Sequence, residues 1–440
     1  MSDYDVVILG GGSAAEAAAE LLAAGGRSVA VIEERYVGGE CPYLACIPSK
    51  ALLHAAAAGM TWEQAVAFRD DLAQHQDDQG HAKTLQNKGI ALIRGRGVIT
   101  GPGRLQVTEQ TVGWSDLIIA TGAVATIPPI EGIDSVTVWT SEEALTLPEQ
   151  PGTLLIIGGG PVGCELAQAY ARLGSEVTLV AATDRVLAAE PAHIGETVTE
   201  ALRLDGVEVL TGASVERVAA VGPYGVALIL DDDDRVVGDR LLVAVGKRPQ
   251  TDGIGLETLG ISPRPDGTLA VDPQGRVAGN VWAAGDVTGL APYTHGANHT
   301  ARVVARAILG QDTRMDLRAV PRCVYTTPSV MCVGSTSGGD GIVTASAEVG
   351  DTPRAHVEDT GPGRVQLFAD AARGVLVGAA VVGPHAEDWG GQLVLAIQAE
   401  VPLAVLAETV QAFPTYAEAL DPAYHDLLDQ VTRLGRLRTS

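Results

Sequence analysis

The segment "VVILGGGSAAEAAAELLAAGGRSVAVIE" that begins at Val6 is echoed by "LLIIGGGPVGCELAQAYARLGSEVTLVA" beginning at Leu154, a constant offset of 148 residues. Each copy reads as a short apolar strand, a glycine turn, a helix with Ala and Leu at helical spacing, a Gly break and a second apolar strand. That is a βαβ unit twice over. Gly10, Gly12 and Ala15 fit G-x-G-x-x-[GA] in the first copy, and Gly158, Gly160 and Gly163 fit it in full in the second. Glycines at such a turn let backbone N–H groups at a helix N-terminus approach a pyrophosphate. One match alone is weak, but strand, turn, helix and strand in place twice predict two dinucleotide sites.

The residue that ends the second strand discriminates the nucleotide, because a carboxylate there accepts both hydroxyls of an adenosine ribose. Glu33 stands there in the first unit. The offset puts Ala181 at the equivalent place in the second, which therefore lacks the acceptor that favours NAD over NADP. Arg185 lies near enough to meet a 2′-phosphate, or is a solvated loop arginine. The sequence leaves the choice of nicotinamide open.

With 440 residues and 46% hydrophobic content the chain can bury large cores, and two to four domains are expected. Its 30 Lys and Arg against 54 Asp and Glu give a net charge of -24, which repels phosphate backbones and anionic lipid. Nucleic acid is excluded as a natural partner. The start "MSDYDVVILGGG" has no basic n-region, and no apolar run reaches the roughly 18 residues of a membrane span, so a cytoplasmic location with no membrane partner is expected. Five cysteines are too few for a secreted disulfide framework. Two of them, Cys41 and Cys46 in "GGECPYLACIPSK", pose a choice among structural thiols, a metal site and a redox couple. C-x4-C has no second Cys or His pair nearby to complete four ligands, so no metal is expected.

"GGECPYLACIPSK" following Glu33, the second G-x-G-x-x-G unit, "VWAAGDVTG" and "FPTYAEAL" together resemble the flavoprotein pyridine nucleotide-disulfide oxidoreductases, essentially end to end. That family includes dihydrolipoamide dehydrogenase, glutathione reductase and mercuric reductase. C-x4-C-x-x-P-S-K after a first Rossmann unit is a specific signature. The resemblance implies an α/β fold with two Rossmann-like dinucleotide-binding domains and a C-terminal α+β dimerisation domain. It implies an FAD domain from residues 1–148 and 250–312, an NAD(P) domain from 149–249, and an interface domain from 315–440 in a homodimer. "IIATG" and "VAVGKRP" look like the crossing segments between the two nucleotide domains. In the interface region, "VPRCVYTTPSVMCVGST" and the alternating "RVQLFADAARGVLVGAAVVG" read as antiparallel strands followed by helices.

By the same resemblance Gly10, Gly12, Ala15, Gly39 and Glu33 would hold the ADP half of FAD, with Thr121, Gly122, Gly246 and Gly285 lining the cofactors. Asp286 would hydrogen-bond the ribityl chain. Gly158, Gly160, Gly163 and Arg185 would serve NAD(P)H. Cys46 would face the flavin and Cys41 would exchange with substrate, while Lys50 and Glu165 match an ion pair beside the flavin. A redox disulfide is also plausible on geometry, since residues five apart reach bridging distance where a loop enters a helix, and a helix N-terminus stabilises a thiolate. Cys164, Cys323 and Cys332 are read as core residues.

One departure limits the analogy. Disulfide-exchanging members carry a His-Pro-Thr-x-x-Glu motif whose His is the acid/base for thiols. In "QAFPTYAEAL" Phe413 stands at that position, while Pro414, Thr415 and Glu418 match. Tyr416, with an ordinary pKa near 10, is a poor base at neutral pH, and Glu418 is expected to be structural. Mercuric reductase also lacks the His, but it carries a C-terminal cysteine pair absent from "LDQVTRLGRLRTS". His295 and His299 in "PYTHGANHT" are read as packing near the cofactor rather than as acid/base groups. The leading expectation is an NAD(P)H-dependent flavoenzyme with a Cys41/Cys46 redox pair and a small-molecule acceptor such as a quinone or other electrophile. A disulfide reductase with a replaced base and a non-enzymatic flavin redox sensor are the alternatives.

Overall fold

The apolar run Val6, Val7, Ile8, Leu9 is buried on both sides, as a central strand of a covered parallel sheet requires. The structure, a computed structural model, describes residues 2–223, 225–231 and 234–439. Ser2–Leu9 lies between Val29–Glu33 and Gln110–Ile119 in an eight-stranded sheet. Ala91–Arg94 forms one edge, Val281–Ala283 and Arg276–Ala278 the other, and the hairpin Gly97–Gly101/Arg104–Val107 attaches to Gln110–Ile119. Val6 and Ile8 point toward the helices Ser13–Ala24 and Thr294–Ile308, and Val7 and Leu9 toward Ile99, Leu105 and Ile254 on the opposite face.

The second unit builds a five-stranded parallel sheet in the order Glu208–Thr211, Glu176–Ala181, Thr153–Ile157, Arg240–Val243, Val138–Trp139. The last strand, only two residues long, comes before the expected boundary at 148 yet pairs with Leu241 and Leu242 of this sheet. A three-stranded antiparallel meander, Val215–Val221, Gly225–Leu230 and Arg235–Gly238, covers the face that carries Leu155 and Ile157. Ala123–Ala125 and Lys247–Pro249 pair antiparallel where the chain crosses between the two units.

The C-terminal region is a five-stranded antiparallel sheet, Pro321–Val324, Ser329–Gly334, Val375–Gly383, Arg364–Asp370, Ile342–Glu348, packed against helices that include Leu420–Thr439. The fold is therefore α/β with two dinucleotide-binding sheets and an α+β C-terminal unit, as the sequence predicts.

One apolar core joins all three parts. Leu52 and Ala55 of the helix Cys46–Ala57 pack with Cys164 and Tyr170 of the helix Pro161–Arg172, and with Val324, Val330 and Cys332 of the C-terminal sheet. Trp62 stacks obliquely on Tyr170 at 5.1 Å and donates to the Pro148 carbonyl at 2.8 Å. Fully buried Arg69 donates to the Thr146 and Leu147 carbonyls. Truncating a side chain such as Leu52 in this core would cost about 2–5 kcal/mol, which is what keeps the cysteine-bearing helix in register with the second unit.

Candidate active site

The internal repeat survives as matched backbone geometry. Gly10 has φ +105°, and a Cβ there would lie 2.3 Å from the Ala120 carbonyl oxygen; Gly158 has φ +122°, and its Cβ would lie 2.4 Å from the Ala244 carbonyl oxygen. Only glycine permits both the conformation and the approach. Each turn opens a twelve-residue helix, Ser13–Ala24 or Pro161–Arg172, with Gly12 or Gly160 just before it. A Cβ on Gly163 would collide with the Gly158 carbonyl, whereas Ala15 is accommodated and buried.

Glu33 and Ala181 are equivalent in space as well as in sequence. A Cβ on Gly11 would meet the Glu33 side chain at 2.8 Å, and one on Gly159 would meet the Ala181 Cβ at 2.8 Å. The Gly11 and Arg35 N–H groups each donate to one Glu33 carboxylate oxygen at 2.6 Å. Burial nevertheless raises the Glu33 pKa, with those two donors opposing it. Ala181 is buried and offers no acceptor. Arg185 is turned onto its own loop, where it pairs with Asp184 at 3.1 Å and donates to the Ala188 carbonyl at 3.2 Å.

Gly39, Gly122, Gly246 and Gly285 all have positive φ. Thr121 Oγ1 donates to the Gln250 carbonyl and the Gln250 N–H donates to the Gly122 carbonyl, which stitches the two crossing segments together. Gly285 lies against Ala14 at the start of the first helix, bringing Asp286 beside the first glycine turn. Burial raises the Asp286 pKa, with Lys247 opposing.

Cys41 sits in the short helix Glu40–Tyr43 and Cys46 is the first residue of Cys46–Ala57. Both thiols are free, half-buried and hydrogen-bonded to each other. Cys46 Sγ lies 3.6 Å from Thr294 Oγ1. The neighbouring Cys41 thiol, acting against burial and helped by Thr294, Lys50 and Lys247, brings the Cys46 pKa down to about 6. The same contact, together with burial, raises the Cys41 thiol.

One turn beyond Cys46, Lys50 Nζ reaches Glu165 Oε2 at 2.7 Å. The Tyr325 N–H donates to the other Glu165 oxygen at 2.9 Å, and the Lys50 ammonium lies 4.4 Å from the Tyr325 ring centroid. Lys50, Glu165 and Tyr325 come from three different sheets' surroundings and are held together by the shared core.

Sequence reasoning missed Thr294, Tyr325 and the pair Lys247–Glu40, whose Nζ and Oε2 are 2.5 Å apart. The lone lysine in the crossing segment "VAVGKRP", facing a glutamate beside Cys41, was the available signal. His295 stacks on Tyr293 and bonds to the Pro321 carbonyl; His299 is exposed. Cys164 and Cys332 are buried as expected, while Cys323 is only half-buried. Phe413 is 74% exposed, Tyr416 is buried and donates to Glu358, and Glu418 accepts from the Thr415 N–H at 2.8 Å as a cap.

Residues 4–307 match the family model for the pyridine nucleotide-disulphide oxidoreductases, and residues 320–424 match that family's dimerisation domain. The chain is 32% identical to a mercuric reductase of Streptomyces lividans, covering 99% of this chain and 98% of that one. It is also 32% identical to a dihydrolipoyl dehydrogenase of Thermus scotoductus, covering 99% of each. The Cu(II) complex of the HOCl-induced flavoprotein disulfide reductase RclA from Escherichia coli superposes with a TM-score of 0.89 at 29% identity, over 97% of this chain and 99% of that one. The residues fit the cofactors of such proteins: Cβ atoms at Gly160 in the second glycine turn, and at Gly122 and Gly246 in the crossing segments, would project into open space, leaving bare backbone there. The chain belongs to the pyridine nucleotide-disulphide oxidoreductases, FAD-dependent enzymes that use NAD(P)H.

Proposed function

We propose that the chain oxidises NAD(P)H, holds the electron pair in part on a Cys41/Cys46 redox disulfide, and delivers it to a quinone or another small electrophile without thiol exchange. With a quinone, NAD(P)H and one proton become NAD(P)⁺ while the quinone takes two electrons and two protons. Bound FAD supplies the hydride acceptor and two-electron relay. Gly10, Gly12, Ala15, Gly39, Glu33, Thr121, Gly122, Gly246, Gly285 and Asp286 hold it, and Gly158, Gly160 and Gly163 hold the nicotinamide nucleotide. The FAD part is residues 1–148 and 250–312, apart from the strand Val138–Trp139 that pairs with the nicotinamide sheet; 149–249 and 315–440 form the other two parts.

Lys50 keeps positive charge where negative charge accumulates, oriented by Glu165. Cys46 receives electrons and holds them as thiolate, and Cys41 keeps the proton until an acceptor arrives. The observation that carries the choice of acceptor is Phe413, an exposed phenyl ring where a thiol-exchanging member needs an imidazole. Tyr416 is no substitute, since burial and its bond to Glu358 raise its pKa further. A homodimer with Phe413 turned to the partner accords with the matched dimerisation domain.

The test is NAD(P)H turnover by FAD-loaded protein against quinones, lipoamide, glutathione disulfide, Hg(II) and Cu(II). Quinone turnover well above both disulfides is expected. Disulfide turnover equal to the best quinone would overturn the choice of acceptor, and dominant metal-ion turnover would replace quinones with metal ions.

A further inference from the structure

The helix Thr294–Ile308 begins against the redox turn: Thr294 Oγ1 lies 3.6 Å from Cys46 Sγ, 248 residues away in sequence and within reach of a hydrogen bond to sulfur. The start of this helix is pinned on both sides of Thr294. The Tyr293 N–H donates to the Ala291 carbonyl at 2.7 Å, and a Cβ on Gly296 would lie 2.4 Å from that same oxygen, so the chain is folded back tightly here. His295 stacks on Tyr293, the ring centroids 5.3 Å apart and the planes 7° from parallel, and its Nε2 lies 2.9 Å from the Pro321 carbonyl oxygen. A carbonyl only accepts, so Nε2 carries a proton, in the neutral ring or in the imidazolium alike. Pro321 opens the strand Pro321–Val324 of the C-terminal sheet. Just past the other end of that strand, the Tyr325 N–H holds Glu165, which holds Lys50 at 2.7 Å. Pro321 and Tyr325 are four residues apart, as are Cys46 and Lys50, so one strand braces both Thr294 and Lys50.

We propose that Thr294 is a catalytic residue of the disulfide step, its hydroxyl donating to the Cys46 sulfur once that sulfur is reduced, and that His295 is the positioning residue that holds it there from Pro321. The inference rests on Cys41 and Cys46 being a redox disulfide. NAD(P)H, through FAD, supplies an electron pair; with one proton taken up, the S–S bond breaks to give Cys41–SH and Cys46–S⁻. A neutral disulfide sulfur is a weak acceptor and a thiolate a strong one, so the hydroxyl gains most of its bond only after reduction. The contact therefore favours the reduced pair with its charge on Cys46. Cys41, Lys50, Lys247 and Tyr325, from four other places in the chain, also act on that charge; Lys50 is paired with Glu165 and Lys247 with Glu40. His299, further along the helix of Thr294, is exposed. Thr294 itself is uncharged throughout, so it works through the hydrogen bond alone. The lowered Cys46 pKa has the sign this contact requires.

The experiment follows alkylation of Cys46 against pH, by peptide-resolved mass spectrometry, in FAD-loaded protein reduced anaerobically with dithionite. Thr294→Val, which keeps the shape and loses the hydroxyl, is expected to raise the midpoint by about 0.5–1 pH unit, making alkylation at pH 6.5 up to about threefold slower at the upper end of that range. Thr294→Ser should restore it, and Thr294→Ala takes the place of Thr294→Val if the latter does not fold. His295→Phe keeps a ring against Tyr293 and loses the bond to Pro321, so its midpoint should rise by less than that of Thr294→Val. An unmoved midpoint in the folded, FAD-replete Thr294 variant overturns the inference, and an unmoved one in His295→Phe alone removes the anchoring role of His295. The underlying redox-pair reading is checked separately in the wild type: uptake of only one two-electron equivalent of dithionite removes the pair and the inference with it. Two equivalents with an unmoved Thr294→Val remove the inference alone.

Discussion

The Lys50 ammonium and the Glu165 carboxylate meet at 2.7 Å, the first about a third exposed (35%) and the second nearly enclosed (7%). Glu165 also accepts the Tyr325 N–H, so one carboxylate binds two separate parts of the chain. Lys50→Met should slow reduction of bound FAD by NADH by on the order of 10²-fold, with the FAD content unchanged. Stopped-flow absorbance checks it, and a rate within threefold of wild type would remove the electrostatic role. Glu165→Ala, which strands the Tyr325 N–H, should cost about 1–3 kcal/mol in denaturant unfolding.

For the cysteines, a dithionite titration should consume two two-electron equivalents per subunit. Cys46→Ser should abolish the long-wavelength thiolate-to-flavin absorbance at half reduction, and Cys164→Ser should leave it. Because the Cys46 pKa is lowered from 9.0 to about 6, that absorbance should grow with a midpoint near pH 6. The linkage has the sign of a depressed acid: in the reduced protein the stabilisation is complete above pH 9 and is lost as pH falls through 6. A midpoint above pH 8 would mean the thiolate is not favoured.

Nicotinamide selectivity should be weak. Ala181 cannot read a ribose hydroxyl, and Arg185 is engaged with Asp184 and the Ala188 carbonyl, so the kcat/KM ratio of NADH to NADPH should stay within about a hundredfold either way. Ala181→Glu, recreating the arrangement of Glu33, should move the ratio about tenfold toward NADH. A steeper wild-type preference would mean that Arg185 leaves its loop to bind a 2′-phosphate.

The glycine turns could be found from residues alone because the close approaches at Gly10 and Gly158 admit one residue type, and close approach leaves a compositional trace. Lys50 was visible through its fixed spacing from Cys46. Lys247, Thr294 and Tyr325 were not, since their contacts with Glu40, Cys46 and Lys50 arise from strand pairing and core packing across 200 or more residues. The strand Val138–Trp139 escaped for a different reason: two residues carry no periodicity, and only the Leu241–Leu242 edge gives them a partner. Arg185 lies in the loop after Ala181, where its hydrogen-bond partners depend on a chain path that composition does not dictate.

The protein should be a homodimer at micromolar concentration. Val410, Phe413, Leu395 and Val405 are exposed apolar side chains at 93%, 74%, 67% and 54%, clustered in the segment that matches the dimerisation domain. Exposed apolar groups concentrated in this way mark an interface. A monomeric mass by light scattering would contradict it, and Phe413→Glu should shift the equilibrium toward monomer.

Phe413 makes the sharpest demand on chemistry. A dithiol of ordinary pKa near 8.5 must lose a proton before it attacks the disulfide, and positioned base catalysis contributes typically ~10²- to 10⁴-fold. The ring at 413 cannot accept that proton, Tyr416 is tied to Glu358, and Glu418 is occupied as a cap on Thr415. Lipoamide and glutathione disulfide should therefore be poor substrates. Quinones that collect electrons directly from the reduced cofactor should turn over well even in Cys41→Ser, because that route bypasses thiol exchange. Phe413→His tests the same point from the other side: a gain in disulfide turnover whose pH profile acquires a pKa near 6.5 would show that only the base was missing. The deciding measurement is the wild-type comparison at pH 7. If lipoamide matches the best quinone, another group serves as the base, and a disulfide substrate becomes the better reading.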